Sequence, residues 1–311
     1  MIVVCGEALI DMIQNGDGTQ RAAPGGGPFN TARALARLGV ATAFLGRLST
    51  DKFGRELADL LVADGASLEL ASVGPEPTTI ALADVDPKGL ADYEFVIQGT
   101  SAPNLIPEML PARLGPEVSA LHLGTLGLVL EPMASTLVEL VSREREGRLV
   151  MLDPNIRVGL VDEGEYRERL AAVVAATSIL KASDTDLAWL YPECSYENAA
   201  DRVLDEGVPL VVVTLGAAGA FGAHRDQRIH VAAPPVHVVD TIGAGDAFGA
   251  GLLAWLDDHS LIRPSPSLSE DQLRSALEYA CLAASLTCSR AGADPPWKRD
   301  MEGKEAAGSH S

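Results

Sequence analysis

Basic residues are scarce in this sequence, and long apolar runs are absent. Of its 311 residues, 43 are Asp or Glu and only 24 are Lys or Arg, so the formal net charge is -19. Nucleic-acid-binding proteins cluster Lys and Arg against the phosphate backbone, so this balance excludes a nucleic-acid partner. A bilayer-spanning helix needs about 18 consecutive apolar residues, and no such run occurs. We therefore expect small-molecule ligands and no membrane partner.

Cysteine and histidine are also few, and their spacing argues against two kinds of site. The four cysteines form no CxxC pair and the six histidines show no metal-ligand spacing, so neither a disulfide framework nor a zinc site is expected. We expect Cys5, Cys194, Cys281 and Cys288 to be buried thiols in a reducing, cytoplasmic compartment. His122, between two leucines, is expected to be a hydrogen-bonded core residue. The first 13 residues lack the basic start of a targeting segment and predict a first strand instead.

Short apolar runs alternate with helical patterns along most of the chain. With 47% hydrophobic residues, this alternation predicts a compact α/β fold with a mainly parallel central sheet. The predicted strands are 2–5, 42–45, 120–123, 149–152, 178–180 and 210–214, and the predicted helices are 30–38, 54–64, 132–146, 165–176, 185–191, 195–205, 247–257 and 271–287. Two stretches, about 11–23 and 78–97, break the pattern and predict a small antiparallel β-sheet that forms a lid or an interface. The polar residues 298–311 predict a disordered tail.

The densest motif of the chain is Asp240-Thr-Ile-Gly-Ala-Gly-Asp-Ala-Phe-Gly-Ala-Gly251. The run 236–239 before it, β-branched apart from His237, predicts a strand, and the small apolar residues after it predict a helix. In a strand, tight turn and helix, the backbone amides of Gly243, Ala244 and Gly245 would be unpaired and would attract an anion such as phosphate. The Asp246 carboxylate would repel that phosphate, so its presence there indicates a proton-transfer role.

Glycines and polar residues stand at other strand ends, where α/β sheets place their ligands. Gly25-Gly26-Gly27-Pro-Phe-Asn30 opens a helix, and its glycines allow the backbone to approach a ligand while Asn30 offers a donor and acceptors. Asp11 follows a first strand predicted over 3–10, and its carboxylate can accept hydrogen bonds from sugar hydroxyls.

Three further motifs follow later strands. Asp153-Pro-Asn-Ile-Arg157 brings a fixed cation, Arg157, that can face a phosphate or a carboxylate. Lys181 ends a strand where the sheet meets the cleft, and Ser183 can cap the next helix. The glycines of Thr214-Leu-Gly-Ala-Ala-Gly219 would admit a flat base or a phosphate. The P-loop is missing, and so is the GxGxxG dinucleotide fingerprint, whose absence argues against hydride chemistry.

Together and in this order, these motifs resemble those of the ribokinase-like (pfkB-type) carbohydrate kinases, and most of all the fructokinase subgroup. The resemblance runs from residue 1 to about 296. It implies one domain over residues 1–297, a three-layer αβα sandwich with a small β-sheet lid. Because the lid often forms a dimer interface in this family, the resemblance also predicts a homodimer through the lid.

The resemblance also implies roles for the motif residues. Asp246 would be the general base that takes the proton of a sugar hydroxyl as it attacks the γ-phosphate of ATP, and Gly243, Ala244 and Gly245 would form the anion hole. Arg157 would lie near the transferred phosphate or the sugar. The residues implied to hold the sugar, with Asp246, are Asp11, Gly26, Gly27, Asn30, Tyr93 and Phe95. Those implied to line the nucleotide site are Lys181, Ser183, Thr214, Gly216, Gly219, Gly243, Gly245 and Cys281.

Cations enter the prediction through the same resemblance. Mg²⁺ would bridge the ATP phosphates, and Asp186 would bind it through water, at a position where many relatives carry Glu. Potassium, a common activator in the family, would be held by Asp240, Ile242 and Gly292. The loop after Gly292 continues as Asp294-Pro-Pro296, where relatives often place a serine.

Fructose, phosphorylated on a primary hydroxyl, is the substrate that the resemblance favours. 2-Keto-3-deoxygluconate is an alternative, because Arg157 could face its carboxylate, and another sugar or a nucleoside remains open. Lys88 is the only basic residue within 78–97, which favours a neutral sugar. A catalytically silent sensor on the same scaffold is the alternative of another class, and it would have no need of the Asp246 base.

Overall fold

A computed structural model describes residues 1–14, 19–85, 91–156, 160 and 163–302 of the protein. Its strands are β1 Ile2–Cys5, β2 Leu9–Gln14, β3 Gln20–Gly25, β4 Thr42–Leu45, β5 Arg47–Ser49, β6 Ser72–Gly74, β7 Ile80–Val85, β8 Ala91–Val96, β9 Ala120–Gly124, β10 Leu149–Asp153, β11 Ile179–Ser183, β12 Leu210–Thr214, β13 Ala220–His224 and β14 Gln227–Val231. Its α-helices are α1 Gly27–Arg37, α2 Lys52–Asp64, α3 Met133–Glu144, α4 Glu163–Val174, α5 Asp184–Leu190, α6 Tyr196–Asp205, α7 Ala244–Asp258 and α8 Glu270–Cys288.

An eight-stranded sheet in the order β14-β13-β12-β11-β10-β9-β1-β4 forms the centre of the fold. Six neighbouring strands of this sheet run parallel: β12, β11, β10, β9, β1 and β4. The strands β13 and β14 add an antiparallel edge. Alternate residues of β1 belong to different cores. Ile2 and Val4 share one core with residues of α1, α7 and α8, and Val3 and Cys5 share the other with residues of α3, α4 and α6. The predicted three-layer αβα fold is confirmed.

A second sheet of four strands, in the order β3-β2-β7-β8, comes from the two stretches that break the α/β alternation. The pairs β2–β3 and β7–β8 are antiparallel as predicted, but β2 and β7 pair in parallel. A smaller sheet joins β5 and β6. Among the described residues, no helix is long and apolar enough to cross a membrane.

Several local predictions differ from the structure. The first strand ends at Cys5 because the chain turns at Gly6, which has a φ of 141°, so Asp11 belongs to β2 of the second sheet. Residues 236–239 form no strand, and Val238 and Val239 are 57% and 55% exposed. The hairpin β13–β14, which the sequence analysis missed, occupies that edge of the sheet, so the β-branched residues find no strand to pair with.

The predictions for the C-terminal tail, for two cysteines and for His122 also need correction. Residues 298–302 are helical and Met301 is 1% exposed, so the tail does not begin at 298, and residues 303–311 lie outside the described part. Cys194 and Cys288 are only partly buried. His122 is in the core, but its ring nitrogens have no hydrogen-bond partner among the described residues.

Candidate active site

A cleft of about 470 Å³ opens at the carboxyl ends of the parallel strands. The sheet contributes Asp153, Lys181, Ser183 and Thr214 from the ends of β10, β11 and β12. The second sheet covers another side with Leu9, Asp11 and Phe95, and the N-termini of α1 and α7 supply Gly26, Gly27, Asn30, Gly243, Gly245 and Asp246. Most sequence-predicted sugar residues therefore share one cavity.

The N-terminus of α7 carries the predicted anion site. Gly243, the N-cap, has a φ of 77°, and a Cβ at this position would lie 2.7 Å from Ala293 Cβ, so only glycine fits the turn. The amide of Ala244 donates to Thr241 O at 3.2 Å. The prediction of three unpaired amides is therefore wrong for Ala244, because the turn before the helix closes on it. The amides of Gly243 and Gly245 bond to no backbone carbonyl of the described residues.

Asp246 lies on the first turn of α7 and is held by a residue of α1. Asn30 Nδ2 donates to Asp246 Oδ2 at 2.9 Å. Close packing supports this contact, since a Cβ at Gly27 would lie 3.3 Å from Asp246 Oδ1. The structure thus brings the predicted base and a predicted sugar-binding residue into direct contact.

Lys181 pairs with an acid in the floor of the same cleft. Its Nζ lies 2.6 Å from Asp153 Oδ2, and both side chains are almost fully buried. Burial lowers the pKa of Lys181, but the charges of Asp153, Asp246 and Asp186 outweigh it, so the pKa lies above its usual value. Nζ would be 3.2 Å from a Cβ at Gly245, which places this cation directly beneath the N-terminus of α7.

A second cavity of about 500 Å³ adjoins the first, and Thr214, Thr241 and Gly245 line both. Its other residues are mostly small or apolar, as a flat aromatic base requires: Gly216, Ala217, Gly219, Ala233, Pro234, Pro235, Val236, Val238, Ala244, Phe248, Cys281, Ala284, Ser285 and Cys288. The residues predicted to bind the nucleotide therefore fall into two groups, one for each cavity. Thr214, Gly216, Gly219, Gly245 and Cys281 line this cavity, whereas Lys181, Ser183 and Gly243 line the first.

The predicted cation-binding residues take part in hydrogen bonds of the protein. Asp240 Oδ1 accepts from Ile242 N at 3.1 Å and Oδ2 from Gly292 N at 2.9 Å, so this carboxylate joins the two predicted potassium-binding segments. Asp186 is the third helical residue of α5 and forms a capping box with the N-cap Ser183: its Oδ2 accepts from Ser183 Oγ at 2.7 Å, and its Oδ1 accepts from Ile156 N at 2.9 Å. Both carboxylates retain lone pairs for a cation or its water.

Two predicted residues cannot be placed. Arg157 lies outside the described residues. Tyr93 is described only through the backbone of β8, where it pairs with Ala83, and its side chain lies outside the described part.

Glu7 is an acidic cleft residue that the sequence analysis missed. It is completely buried, and its oxygens accept hydrogen bonds from the amides of Gly27 and Gly127. Burial raises its pKa from 4.5 to about 8, the nearby charge of Asp246 adds to this, and the amide hydrogen bonds act in the opposite direction. An acidic residue at the end of the apolar run 2–5 was the available signal. Thr125 and Asn155 also line the cleft without having been predicted.

Comparison with known proteins assigns this arrangement to a family. A family model described as pfkB family carbohydrate kinase matches residues 1–300. A fructokinase from Rhizobium leguminosarum bv. trifolii is 39% identical over 282 residues, which cover 88% of this chain and 86% of that protein. The chain belongs to the pfkB family of carbohydrate kinases.

Solved structures of kinases agree with this pfkB assignment. A Vibrio cholerae O395 fructokinase double mutant, with fructose, ADP and a potassium ion bound, matches with a TM-score of 0.82 and 28% identity over 94% of this chain and 93% of that one. An aminoimidazole riboside kinase from Salmonella enterica, complexed with aminoimidazole riboside and an ATP analogue, matches with a TM-score of 0.84 and 26% identity over 97% and 98% of the two chains. This pfkB protein is an ATP-dependent sugar kinase.

Proposed function

We propose that this kinase transfers the γ-phosphoryl group of ATP to a primary hydroxyl of fructose, with Asp246 as the general base. The observation that carries the proposal is the position of Asp246 on the first turn of α7. It lines the first cavity, is hydrogen-bonded by Asn30 and directly follows Gly245, which lines both cavities. A carboxylate there can take the proton of a hydroxyl bound in the first cavity, while the amides of Gly243 and Gly245 stabilise charge on the phosphoryl group. The fructokinase relatives support fructose as the acceptor.

The charge of the first cavity favours a neutral sugar over an acidic one. Asp11, Asp153, Asp186 and Asp246 line it, and Lys181, the one basic residue among its described lining residues, is already paired with Asp153. A substrate carboxylate would meet uncompensated negative charge there. Arg157 is proposed to face the transferred phosphate, where its fixed charge would assist transfer.

ATP is proposed to occupy the second cavity, with its base against the apolar residues and its phosphates toward Gly243 and Gly245. When bound, Mg²⁺ would neutralise charge on the phosphates, and the carboxylate of Asp186 can hold its water ligands. Asp240 with the backbone of Ile242 and Gly292 is proposed to bind potassium, which the bound ion of the Vibrio structure supports. Higher activity in potassium chloride than in tetramethylammonium chloride would support this part.

The base assignment is tested by Asp246→Asn. The amide can still accept a hydrogen bond but cannot take a proton, so kcat should fall at least about 100-fold while sugar and ATP binding persist. Steady-state kinetics and calorimetric titration measure the two quantities. Asp258→Asn, at the exposed far end of the same helix, serves as the control and should turn over at the wild-type rate. An Asp246→Asn enzyme with near wild-type kcat would contradict the assignment.

The substrate is tested with a panel of ketoses, aldoses, nucleosides and keto-deoxy acids in a coupled assay for ADP release. We expect the highest kcat/KM for fructose. A higher value for 2-keto-3-deoxygluconate or for a nucleoside would replace fructose, and no turnover with any compound would favour the sensor.

A further inference from the structure

Glu7 lies where β1 ends, and glycine allows three chain segments to meet around it. A Cβ at Gly6 would lie 2.5 Å from Pro28 Cγ in α1, and a Cβ at Gly127 would lie 3.3 Å from Gly6 Cα. Gly127 belongs to a short 3-10 helix, Thr125–Leu128, that follows β9. The end of β1 is therefore in close contact with both α1 and this 3-10 helix, and Glu7 lies between them with no exposed surface.

Each carboxyl oxygen of Glu7 binds one of these helices. Oε1 accepts from Gly27 N at 3.2 Å, and Oε2 accepts from Gly127 N at 3.1 Å. Helix termini leave backbone amides that capping side chains normally satisfy. The N-caps here are Gly26 and Gly124, which have no side chain to do so. One distant glutamate thus supplies a hydrogen-bond acceptor to both helices.

The two helices form the sugar side of the cleft. Asn30, which binds Asp246, lies three residues after Gly27 in α1, and Thr125 and Leu126 of the 3-10 helix line the same cavity. The helices also touch each other, since a Cβ at Gly27 would lie 2.5 Å from Thr125 Oγ1. A change in their separation would move Asn30, Thr125 and the amide groups around the sugar together. The residues of the second cavity belong to other elements.

Burying the Glu7 carboxyl in this space costs free energy. The raised pKa of Glu7 reflects the loss of hydration and the nearby charge of Asp246. An apolar side chain of similar volume would pack without that cost, although it would leave both amides without an acceptor. The residue type is therefore explained by the two hydrogen bonds and not by packing.

We propose that Glu7 is a positioning residue that sets the sugar-binding geometry by holding α1 and the 3-10 helix together through its two carboxyl oxygens. The inference rests on the proposed division of the cleft into a sugar side and a nucleotide side. It does not depend on which sugar is the substrate.

Glu7→Gln tests the proposal, with the sugar that the wild-type enzyme phosphorylates best as substrate. Glutamine keeps the volume but offers one acceptor and places an NH₂ group against the other amide. We expect the KM for the sugar to rise about tenfold, as the loss of one hydrogen bond of this kind implies, and the KM for ATP to stay within about twofold. Glu270→Gln, in an exposed ion pair of α8, is the matched control and should leave both KM values unchanged.

A rise in the KM for the sugar without a rise in the KM for ATP distinguishes a positioning role from a general effect on stability. Unchanged kinetics in Glu7→Gln, or an equal rise of both KM values, would overturn the proposal. Glu7→Asp, which shortens the side chain by one methylene, should show the same split. If neither variant folds by circular dichroism, Glu7 acts through stability alone and the proposal is wrong. If fructose is not the preferred substrate, the substrate panel with the wild-type enzyme shows this independently of the Glu7 variants.

Discussion

At the residue scale, two carboxyl groups of the cleft differ in their burial and in the groups that donate hydrogen bonds to them. Asp246 is only partly buried and accepts from Asn30, whereas Glu7 is fully buried and accepts from two backbone amides. Burial raises the pKa of Glu7 from 4.5 to about 8. The folded protein therefore holds a proton there that the unfolded chain has released, over the pH range between these two values.

Because the folded protein holds this proton on Glu7, its free energy of unfolding should depend on pH. Between pH 4.5 and about 8 the unfolded state binds fewer protons at Glu7 than the folded state, so the contribution of Glu7 to stability falls as pH rises. Glu7→Gln cannot titrate, and the melting-temperature deficit of this variant relative to wild type should therefore be larger at pH 5 than at pH 8. Thermal melts at both pH values measure it. A deficit that is constant or that grows with pH would contradict the prediction.

At the element scale, α1 connects the sugar side of the cleft to the loop behind the anion site. Arg33 Nε and Arg37 Nε bind the two oxygens of Asp64 on α2 at 2.6 and 2.8 Å. Arg37 also binds Asp294 Oδ1 at 2.6 Å, and Arg33 binds Ala293 O at 3.3 Å. Because Ala293 packs against Gly243, the arginines of α1 hold the loop that supports the N-terminus of α7.

The two acids of this network should contribute very differently to stability. Asp64→Ala removes the buried carboxylate that two buried guanidinium groups share and should cost about 3–5 kcal/mol. Asp294→Ala removes a side chain that is 47% exposed and should cost about 1 kcal/mol or less. Urea denaturation followed by circular dichroism gives both free energies of unfolding. Similar costs for the two variants would show that burial does not determine the contribution.

At the scale of the whole molecule, the four-stranded second sheet is the proposed lid and dimer interface. Its strand β8 lies at the edge of this sheet, and Val96 at the end of that strand is 47% exposed. An exposed apolar side chain on a sheet edge is a common element of strand-mediated contacts. A second copy of the chain is the partner that the family resemblance favours.

The dimer is tested by sedimentation. Wild type should sediment at about twice the chain mass of 32.5 kDa. Val96→Glu should shift the protein toward monomer, because it places a charge in the proposed interface, whereas the same change at the 58% exposed Val62 of α2 should not. A wild-type monomer, or equal effects of the two substitutions, would contradict the interface.

Local patterns predicted much of the fold. Buried runs such as Thr42–Leu45 and Leu210–Thr214 are strands with the predicted bounds, because both faces of a parallel strand are covered and the apolar run is continuous. Pairing in the edge hairpin β13–β14 was missed, and residues 236–239 were assigned a strand that the structure lacks. Strand propensity depends on a free neighbouring edge, which the local sequence does not report.

The sequence by itself determined the layered α/β fold, the glycine turn before α7 and the acidic residue on its first helical turn, since each depends on neighbours along the chain. Only the tertiary structure decided which groups meet. It placed Asn30 against Asp246 and Lys181 against Asp153, it used the amide of Ala244 in a turn, and it buried Glu7 between two helices. Such contacts join residues far apart in sequence, and burial and charge at the contact then determine how each group titrates.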